Sequence, residues 1–283
     1  MKIFYHKTDL YGYLSQLKTE GKQIGLVPTM GALHQGHLSL LEYIKDHCDI
    51  RVCSVFVNPT QFNNPEDLEK YPRPIEHDIQ LLEENGCDVL FMPQVEEMYG
   101  DNESWSIDLG GLDEILEGAF RPGHYQGVTQ IVKKLFDVVR PDVACFGQKD
   151  YQQFLVIRKM VDIHNLDVSL IMCPTIREED GLAMSSRNVR LSPQGRRQAL
   201  VIYQTLLQFQ NNIHHMGVAE ARDLAVAQLK SREEITFEYF EVCDSQTLNT
   251  LQFTEKGDKV VVLAAVWLEE VRLIDNILFA LEA

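Results

Sequence analysis

Val27-Pro-Thr-Met-Gly-Ala-Leu-His-Gln-Gly-His-Leu-Ser-Leu40 is the stretch on which the reading of this chain turns. It leaves a short apolar run, IGLVP from residue 24 to 28, turns at Pro28 and Gly31, and enters a helix near Gly36 and His37. Leu38, Leu41, Ile44 and Cys48 follow at helical spacing. His34 and His37 stand three apart, so in a first helical turn they share a face. A helix start offers free N–H groups and the positive end of the dipole, which suits phosphate. Gly36 leaves room for a flat or bulky group. Two imidazoles beside that end can donate hydrogen bonds to phosphate oxygens as charge builds at phosphorus. A pair of surface histidines is the plainer reading, but HxGH after a strand and a glycine turn favours nucleotide binding.

Outward from this stretch, strand-like and helix-like segments alternate. IRVCSVFV (residues 50–57) is apolar almost throughout, as in a parallel sheet covered on both faces. IEHDIQLLEENG is helical, and CDVLFMP (87–93) is strand-like. GVTQIVKKLFDVV (127–139) and DYQQFLVIRKMVDIHN are helical, with strands PDVACFG (141–147) and VSLIMCP (168–174) after each. This order predicts an α/β, Rossmann-like doubly wound parallel sheet with right-handed crossovers. Ligands in such sheets bind at the C-terminal strand ends. Beyond Pro174 the pattern changes. Ser192-Pro193 opens a long helix through about Asn211, a second helix runs from about Val218 to Ser231, and three strand-like runs follow. The expected division is residues 1–175, a Rossmann-like nucleotide- and acid-binding domain, and 176–283, a smaller C-terminal α+β lid domain.

The charge balance narrows the partners. Lys plus Arg is 26 and Asp plus Glu is 42, a net charge of −16. Binding along a nucleic-acid backbone rests on neutralising phosphates with cations, so the balance disfavours that class. A small anion is not, because a few cations reverse the field inside one cleft. No run approaches the ~20 apolar residues of a membrane span, and the N-terminal stretch reads as no signal peptide. The six cysteines include no CxxC pair, which disfavours a zinc or thioredoxin-like site. They read as small buried hydrophobes, and the expected location is the cytoplasm.

Four more segments carry candidate chemistry. In VFVNPTQF, Asn58 and Gln61 are neutral amides that suit a hydroxyl or carboxylate, although Asn-Pro also makes an ordinary capped turn. In FGQKDYQQF, Lys149 and Asp150 start a helix at a strand end, where Lys is a natural phosphate partner. Gln153 lies four residues on, on the same face. A solvated Lys–Asp pair explains that spacing equally well. In GLAMSSRNVRLS, Met184, Ser185, Ser186 and Arg187 read as a mobile loop with two hydroxyls and a guanidinium able to grip phosphate. RPGHYQGV (121–128) offers Arg121 or His124 to an anion or a neighbouring subunit, or is a turn with a satisfied histidine.

HQGH resembles the HIGH signature of the nucleotidyltransferase superfamily, and MSSR its KMSKS-type loop, with Arg187 where Lys usually stands. VPTMGALHQGH, FVNPTQF, YPRP, RPGHYQGV, FGQKDYQQ and MSSRN, in this order and over the whole chain, resemble the pantoate–β-alanine ligase family. That resemblance implies a homodimer that joins pantoate to β-alanine with ATP and Mg2+ through a pantoyl adenylate. It implies ATP contacts from Met30, Gly31, Ala32, Leu33, His34, Gln35, Gly36 and His37, from Gly147, Gln148, Lys149 and Asp150, and from Ile176, Met184, Ser185, Ser186 and Arg187. His37, His34, Lys149 and Arg187 would be the catalytic groups. Gln61, Gln153 and Asn58 would meet substrate, and Asp78 is the candidate carboxylate near Mg2+. His37 would be the family's proton donor; charge stabilisation is the simpler role, since magnesium pyrophosphate leaves without protonation. Gln35 and Gln148 stand where the family often has Glu, and His77 interrupts an acidic stretch. Two rivals remain: a nucleotidyltransferase that stops at the nucleotidyl product, and a non-catalytic nucleotide-binding dimer. The second would be expected to have lost His37, Lys149 or Arg187, and all three are present.

Overall fold

The structure, a computed structural model, describes residues 1–101, 103–255 and 257–281. It divides into two compact units, Met1–Pro174 and Thr175–Ala283.

The first unit is built on a six-stranded parallel sheet. In chain order it runs β1 (Lys2–Phe4), α1 (Lys7–Thr19), β2 (Ile24–Thr29), α2 (Gln35–Ile44), β3 (Ile50–Val55), α3 (Pro65–Glu69), α4 (Ile75–Glu84), β4 (Val89–Phe91), α5 (Val95–Met98), α6 (Glu117–Phe120), α7 (His124–Val139), β5 (Val143–Gly147), α8 (Tyr151–His164) and β6 (Ser169–Cys173). The sheet order is β1-β4-β3-β2-β5-β6, and every pairing is parallel. The chain winds outward from β2 through β3 to β4, then returns to the other side of β2 with β5 and β6. The β2–β5 gap is therefore the point where strand order reverses, and crevices that hold ligands form there. Pairing of β2 with β3 continues to Thr29↔Val55, whereas pairing with β5 stops at Leu26↔Ala144. The strands have parted before Pro28, which has no N–H to give to a ladder.

Covering on both faces explains the apolar strands. Val27, Leu41, Ile44, Cys53, Leu90 and Cys145 are almost wholly buried in one continuous cluster. Each such side chain contributes about 1.5–3 kcal/mol when taken out of water. The strand expected to end at Pro28 extends to Thr29. The helix expected to reach Cys48 stops at Ile44 and tightens into a 3₁₀ turn, Lys45–His47, a usual way for a helix to end. The edge strand β1 and helix α1 were not expected. Helix α7 begins at His124, three residues before the apolar spacing suggests, behind Gly123 in the left-handed region (φ 79°).

The second unit has two helices, α9 (Pro193–Met216) and α10 (Val218–Lys230), and an antiparallel sheet ordered β7 (Ile235–Asp244), β8 (Lys259–Leu268), β9 (Val271–Ala280). Ser192 caps α9 by accepting the Gly195 N–H, and Pro193 takes the first helical position. Leu206, Phe209, Phe240 and Val262 form the core, with Phe209 and Phe240 edge-to-face at 5.5 Å. All six cysteines are free thiols, five of them buried. Among the described residues no helix is long and apolar enough to cross a membrane.

Candidate active site

The turn after β2 is held in an uncommon backbone shape. Gly31 (φ 80°) and Ala32 (φ 49°) are both left-handed. For Gly31 this is easy; for Ala32, with its Cβ, it costs about 1–2 kcal/mol. The turn directs the neighbouring N–H groups of Ala32 and Leu33 toward one point. The carboxylate of Asp78, on α4, occupies that point. Ala32 N–H donates to Asp78 Oδ2 at 2.8 Å and Leu33 N–H to Oδ1 at 2.7 Å. Asp78 is 2% exposed. Burial raises its pKa, and the two backbone donors pull the other way.

The turn delivers His34 and His37 to the start of α2. His34 is the N-cap, and its Nδ1 accepts the Gly36 N–H at 3.1 Å. His37 Nδ1 accepts the His34 N–H at 3.3 Å. A backbone N–H only donates, so each Nδ1 presents a lone pair and each ring carries its hydrogen on Nε2. The rings lie 4.1 Å apart, centroid to centroid. Burial foremost, then the neighbouring His34 and Lys149, pushes the His37 pKa down from 6.5 to about 3. His37 is therefore a neutral imidazole with an N–H to give. That suits charge stabilisation and not proton transfer from an imidazolium. The sheet order puts the end of β5, which Lys149 follows, beside the end of β2, across the switch point. Lys149 lies in a 3₁₀ turn, Gln148–Asp150, that follows Gly147 directly; α8 itself starts at Tyr151. Gln153, half-buried, is on the first turn of α8.

The end of β3 forms a second polar cluster. Asn58 is 1% exposed and Gln61 9%. Asn58 Nδ2 donates to Gln61 Oε1 at 3.2 Å and to the Gly127 carbonyl at 3.1 Å. Its Oδ1 accepts from Tyr99 Oη at 2.6 Å and Thr60 Oγ1 at 3.2 Å. Gln61 Nε2 donates to Met30 Sδ at 2.8 Å, which ties this cluster to the β2 turn. The Gln61 carbonyl is held as well. Arg121 donates to His124 Nε2 at 3.2 Å, so His124 carries its hydrogen on Nδ1 and gives it to Gln61 O at 2.7 Å. Helix α7 lies hard against this turn. A Cβ on Gly127 would stand 2.3 Å from the Thr60 carbonyl oxygen, so no larger residue fits.

In the second unit, Ile176 and Met184–Arg187 belong to a hairpin-like segment. Met184 N–H donates to the Ile176 carbonyl at 3.0 Å, and Arg177 bridges Ala183. Arg177 grips Asp275 through two nitrogens, at 2.6 and 2.9 Å, and stacks on Tyr203 at 3.6 Å. Ser185 Oγ accepts the Arg187 N–H at 3.3 Å, opening the 3₁₀ turn Asn188–Arg190.

Met30, the Gly31–His37 turn and Lys149 thus stand at the switch point, and Asn58 and Gln61 are joined to it through Met30. Asp78, the carboxylate expected near Mg2+, accepts one loop N–H on each of its oxygens. Among the described residues no group of three or more His, Cys, Asp or Glu side chains is placed to hold a metal. The sequence did contain a signal for Asp78. It falls with Leu82 on the buried face of α4, where a carboxylate needs donors. Tyr99 and Thr60 carry no signal in the sequence; of the readings for Arg121 and His124 (an anion, a neighbouring subunit, or a turn with a satisfied histidine) the structure shows the satisfied histidine, at the start of α7. Only the folded chain brings them onto Asn58 and Gln61.

Comparison with known proteins adds to this geometry. Residues 2–278 match the sequence model of the family described as Pantoate-beta-alanine ligase. A pantothenate synthetase of Christiangramia forsetii is 46% identical over 280 residues, covering 98% of this chain and 99% of that protein. The crystal structure of pantothenate synthetase from Thermus thermophilus superposes with a TM-score of 0.91 at 43% identity, covering 98% of this chain and 99% of that one. The pantoate-beta-alanine ligase of Francisella tularensis, in complex with beta-gamma ATP and beta-alanine, gives 0.82 at 34%, covering 98% and 97%.

Proposed function

The chain belongs to the pantoate-beta-alanine ligase family, and from that membership we propose how its own residues divide the reaction. It is an ATP-dependent ligase that condenses (R)-pantoate with β-alanine. In the first step a pantoate carboxylate oxygen attacks the α-phosphorus of ATP. The new O–P bond forms as the bond to the β-phosphate bridge breaks, and pyrophosphate leaves with that electron pair. In the second step the β-alanine nitrogen attacks the acyl carbon, the C–O bond to AMP breaks, and the nitrogen sheds its proton.

The observation that carries the assignment is the pair of neutral imidazoles at the start of α2, each with its hydrogen on Nε2, beside the charge of Lys149. A transition state at phosphorus gathers negative charge on its oxygens. Fixed N–H donors and a cation stabilise it without reorganising. The imidazole Nε2–H groups at the α2 start and the Gly147–Asp150 turn serve the nucleotide phosphates. Gln61, whose amide is oriented by Asn58 and Met30, and Gln153 orient the pantoate hydroxyls and carboxylate, and Gln61 also meets β-alanine. In the second unit, Ile176 offers backbone to adenine, and Met184, Ser185, Ser186 and Arg187 supply hydroxyls and a guanidinium for the triphosphate. Magnesium enters as part of the nucleotide substrate, held by phosphates and water as that ion prefers. Asp78 is not one of its ligands in this reading. A cytoplasmic homodimer completes the proposal.

The test is a substrate-omission series with ATP, magnesium, (R)-pantoate and β-alanine, read by mass spectrometry. Pantothenate and AMP in equal amounts, only when all are present, is the expected result. AMP-linked product that accumulates and never accepts the amine would favour a nucleotidyltransferase instead.

A further inference from the structure

We propose that Asp78 is the positioning residue of this site: its carboxylate holds Gly31 and Ala32 left-handed, and so fixes where His34 and His37 stand. The proposal rests on the ligase reading and deepens it. Three observations converge on it. First, the two N–H groups that Asp78 accepts belong to the consecutive residues Ala32 and Leu33, at 2.8 and 2.7 Å. That spacing is met only while the chain keeps its left-handed turn. Second, Asp78 packs directly on the turn: a Cβ at Gly31 would lie 3.0 Å from Asp78 Oδ2 and 3.0 Å from Val55 Cγ1. Third, among the described residues no Lys or Arg side chain forms an ion pair with this buried carboxylate, so the loop N–H groups, with a smaller contribution from His77, offset its burial.

The coupling to the histidines is short. Leu33 is followed at once by His34, whose N–H fixes the His37 ring and whose own ring caps α2. Without the carboxylate, Ala32 gains by returning to a right-handed or extended conformation. Any such change rotates the peptide leading into His34, and both imidazoles move with it. Gly31 would tolerate the turn unaided; Ala32 would not. This asymmetry supplies the test.

Pantoate-dependent ATP–pyrophosphate exchange is measured for the unmodified chain, Asp78→Asn, Ala32→Gly and the double variant. Asn puts an NH2 group against one loop N–H. The expected result for Asp78→Asn is an exchange rate about tenfold lower or worse, with the KM for pantoate changed far less. On the Ala32→Gly background the same substitution should cost several-fold less, because glycine holds the left-handed turn without help. A loss of equal size on both backgrounds overturns the proposal. So does a loss on Asp78→Asn that is repaired by raising magnesium, which would make Asp78 a metal ligand. If Asp78→Asn does not fold, Asp78→Glu, which keeps both oxygens one methylene further out, takes its place in the same cycle. A readout independent of activity separates this proposal from the ligase reading. Imidazole ¹⁵N shifts should show Nδ1 of His37 as an acceptor in the unmodified chain, disturbed in Asp78→Asn and restored in the double variant. Unmodified chain that neither exchanges nor forms pantothenate would sink the ligase reading, while unchanged imidazole shifts in Asp78→Asn would sink the positioning role.

Discussion

Gly127→Ala adds a single methyl group at the place where α7 meets the turn carrying Gln61. The added Cβ would stand 2.3 Å from Thr60 O, 2.6 Å from Thr60 C and 2.8 Å from Gln61 N. All three are backbone atoms, so no side chain can swing aside. Reaching even the 3.0 Å floor of real Cβ contacts requires helix and turn to part by about 0.7 Å. The Asn58 bond to the Gly127 carbonyl, 3.1 Å at rest, lengthens with that movement. Two effects on stability oppose each other. Alanine favours the helix interior over glycine by about 0.5–1 kcal/mol, whereas overpacking costs about 1–3 kcal/mol. The net should be a modest loss of about 1–2 kcal/mol. Catalysis should suffer more, because misplacing a positioning group by about 1 Å can cost on the order of 10²-fold. The assay pairs denaturant unfolding with steady-state kinetics and calorimetric ATP binding. The expected pattern is kcat/KM for pantoate down by roughly 10²-fold, ATP affinity within about twofold, and a small shift in unfolding midpoint. Full activity with an unshifted KM would refute the idea that this contact sets the position of Gln61.

Other substitutions probe the remaining parts. Tyr99→Phe deletes the 2.6 Å donor to buried Asn58 Oδ1; about 1 kcal/mol of stability should go, with a several-fold rise in KM for pantoate and little change in KM for ATP. His37 gives a pH signature in unfolding free energy. Below pH 6.5 the unfolded chain binds a proton that the folded chain refuses until about pH 3, so stability falls as pH drops through that window. The slope from this group is at most about 1.4 kcal/mol per pH unit, less for the partly exposed ring edge, and His37→Gln should flatten it in unfolding titrations between pH 7 and 4. Arg177→Lys breaks the two-nitrogen grip on Asp275 and the stacking on Tyr203. It should destabilise the second unit by about 2–4 kcal/mol, seen as an earlier unfolding transition, because Lys cannot reproduce a planar fork against a buried carboxylate.

What could be read from the sequence was what is local. The β2–α2 junction announces itself because the strand, the glycine turn and both histidines lie within fourteen residues and obey simple periodicities. The α9 start is equally plain, since Ser192-Pro193 is a cap that any helix would use. By contrast β1 is three residues, Lys2–Phe4, the first exposed and the other two half-buried, too short to show alternation. Its place is set by pairing with Val89–Phe91, more than eighty residues away. The α7 start was misplaced because Gly123 and His124 resemble a turn, and the apolar stripe becomes evident only further in. Within the site, His34, His37, Lys149, Asn58 and Gln61 could be picked out by type and motif. Their orientation could not. It depends on Tyr99 reaching Asn58, His124 reaching Gln61 and Asp78 reaching Ala32, contacts that close loops of 41, 63 and 46 residues. Such contacts leave no periodic mark. The buried polar position of Asp78 on α4 was the one long-range clue available.

The most direct test of the adenylation chemistry assigned to this site is ATP–pyrophosphate isotope exchange with (R)-pantoate present and β-alanine withheld. If the carboxylate attacks the α-phosphorus in a separate first step, label passes between pyrophosphate and ATP at a rate that depends on pantoate, and adding β-alanine then releases AMP. If exchange is absent until β-alanine is added, while pantothenate still forms, no free-standing adenylate step exists and the roles given to His34, His37 and Lys149 are wrong.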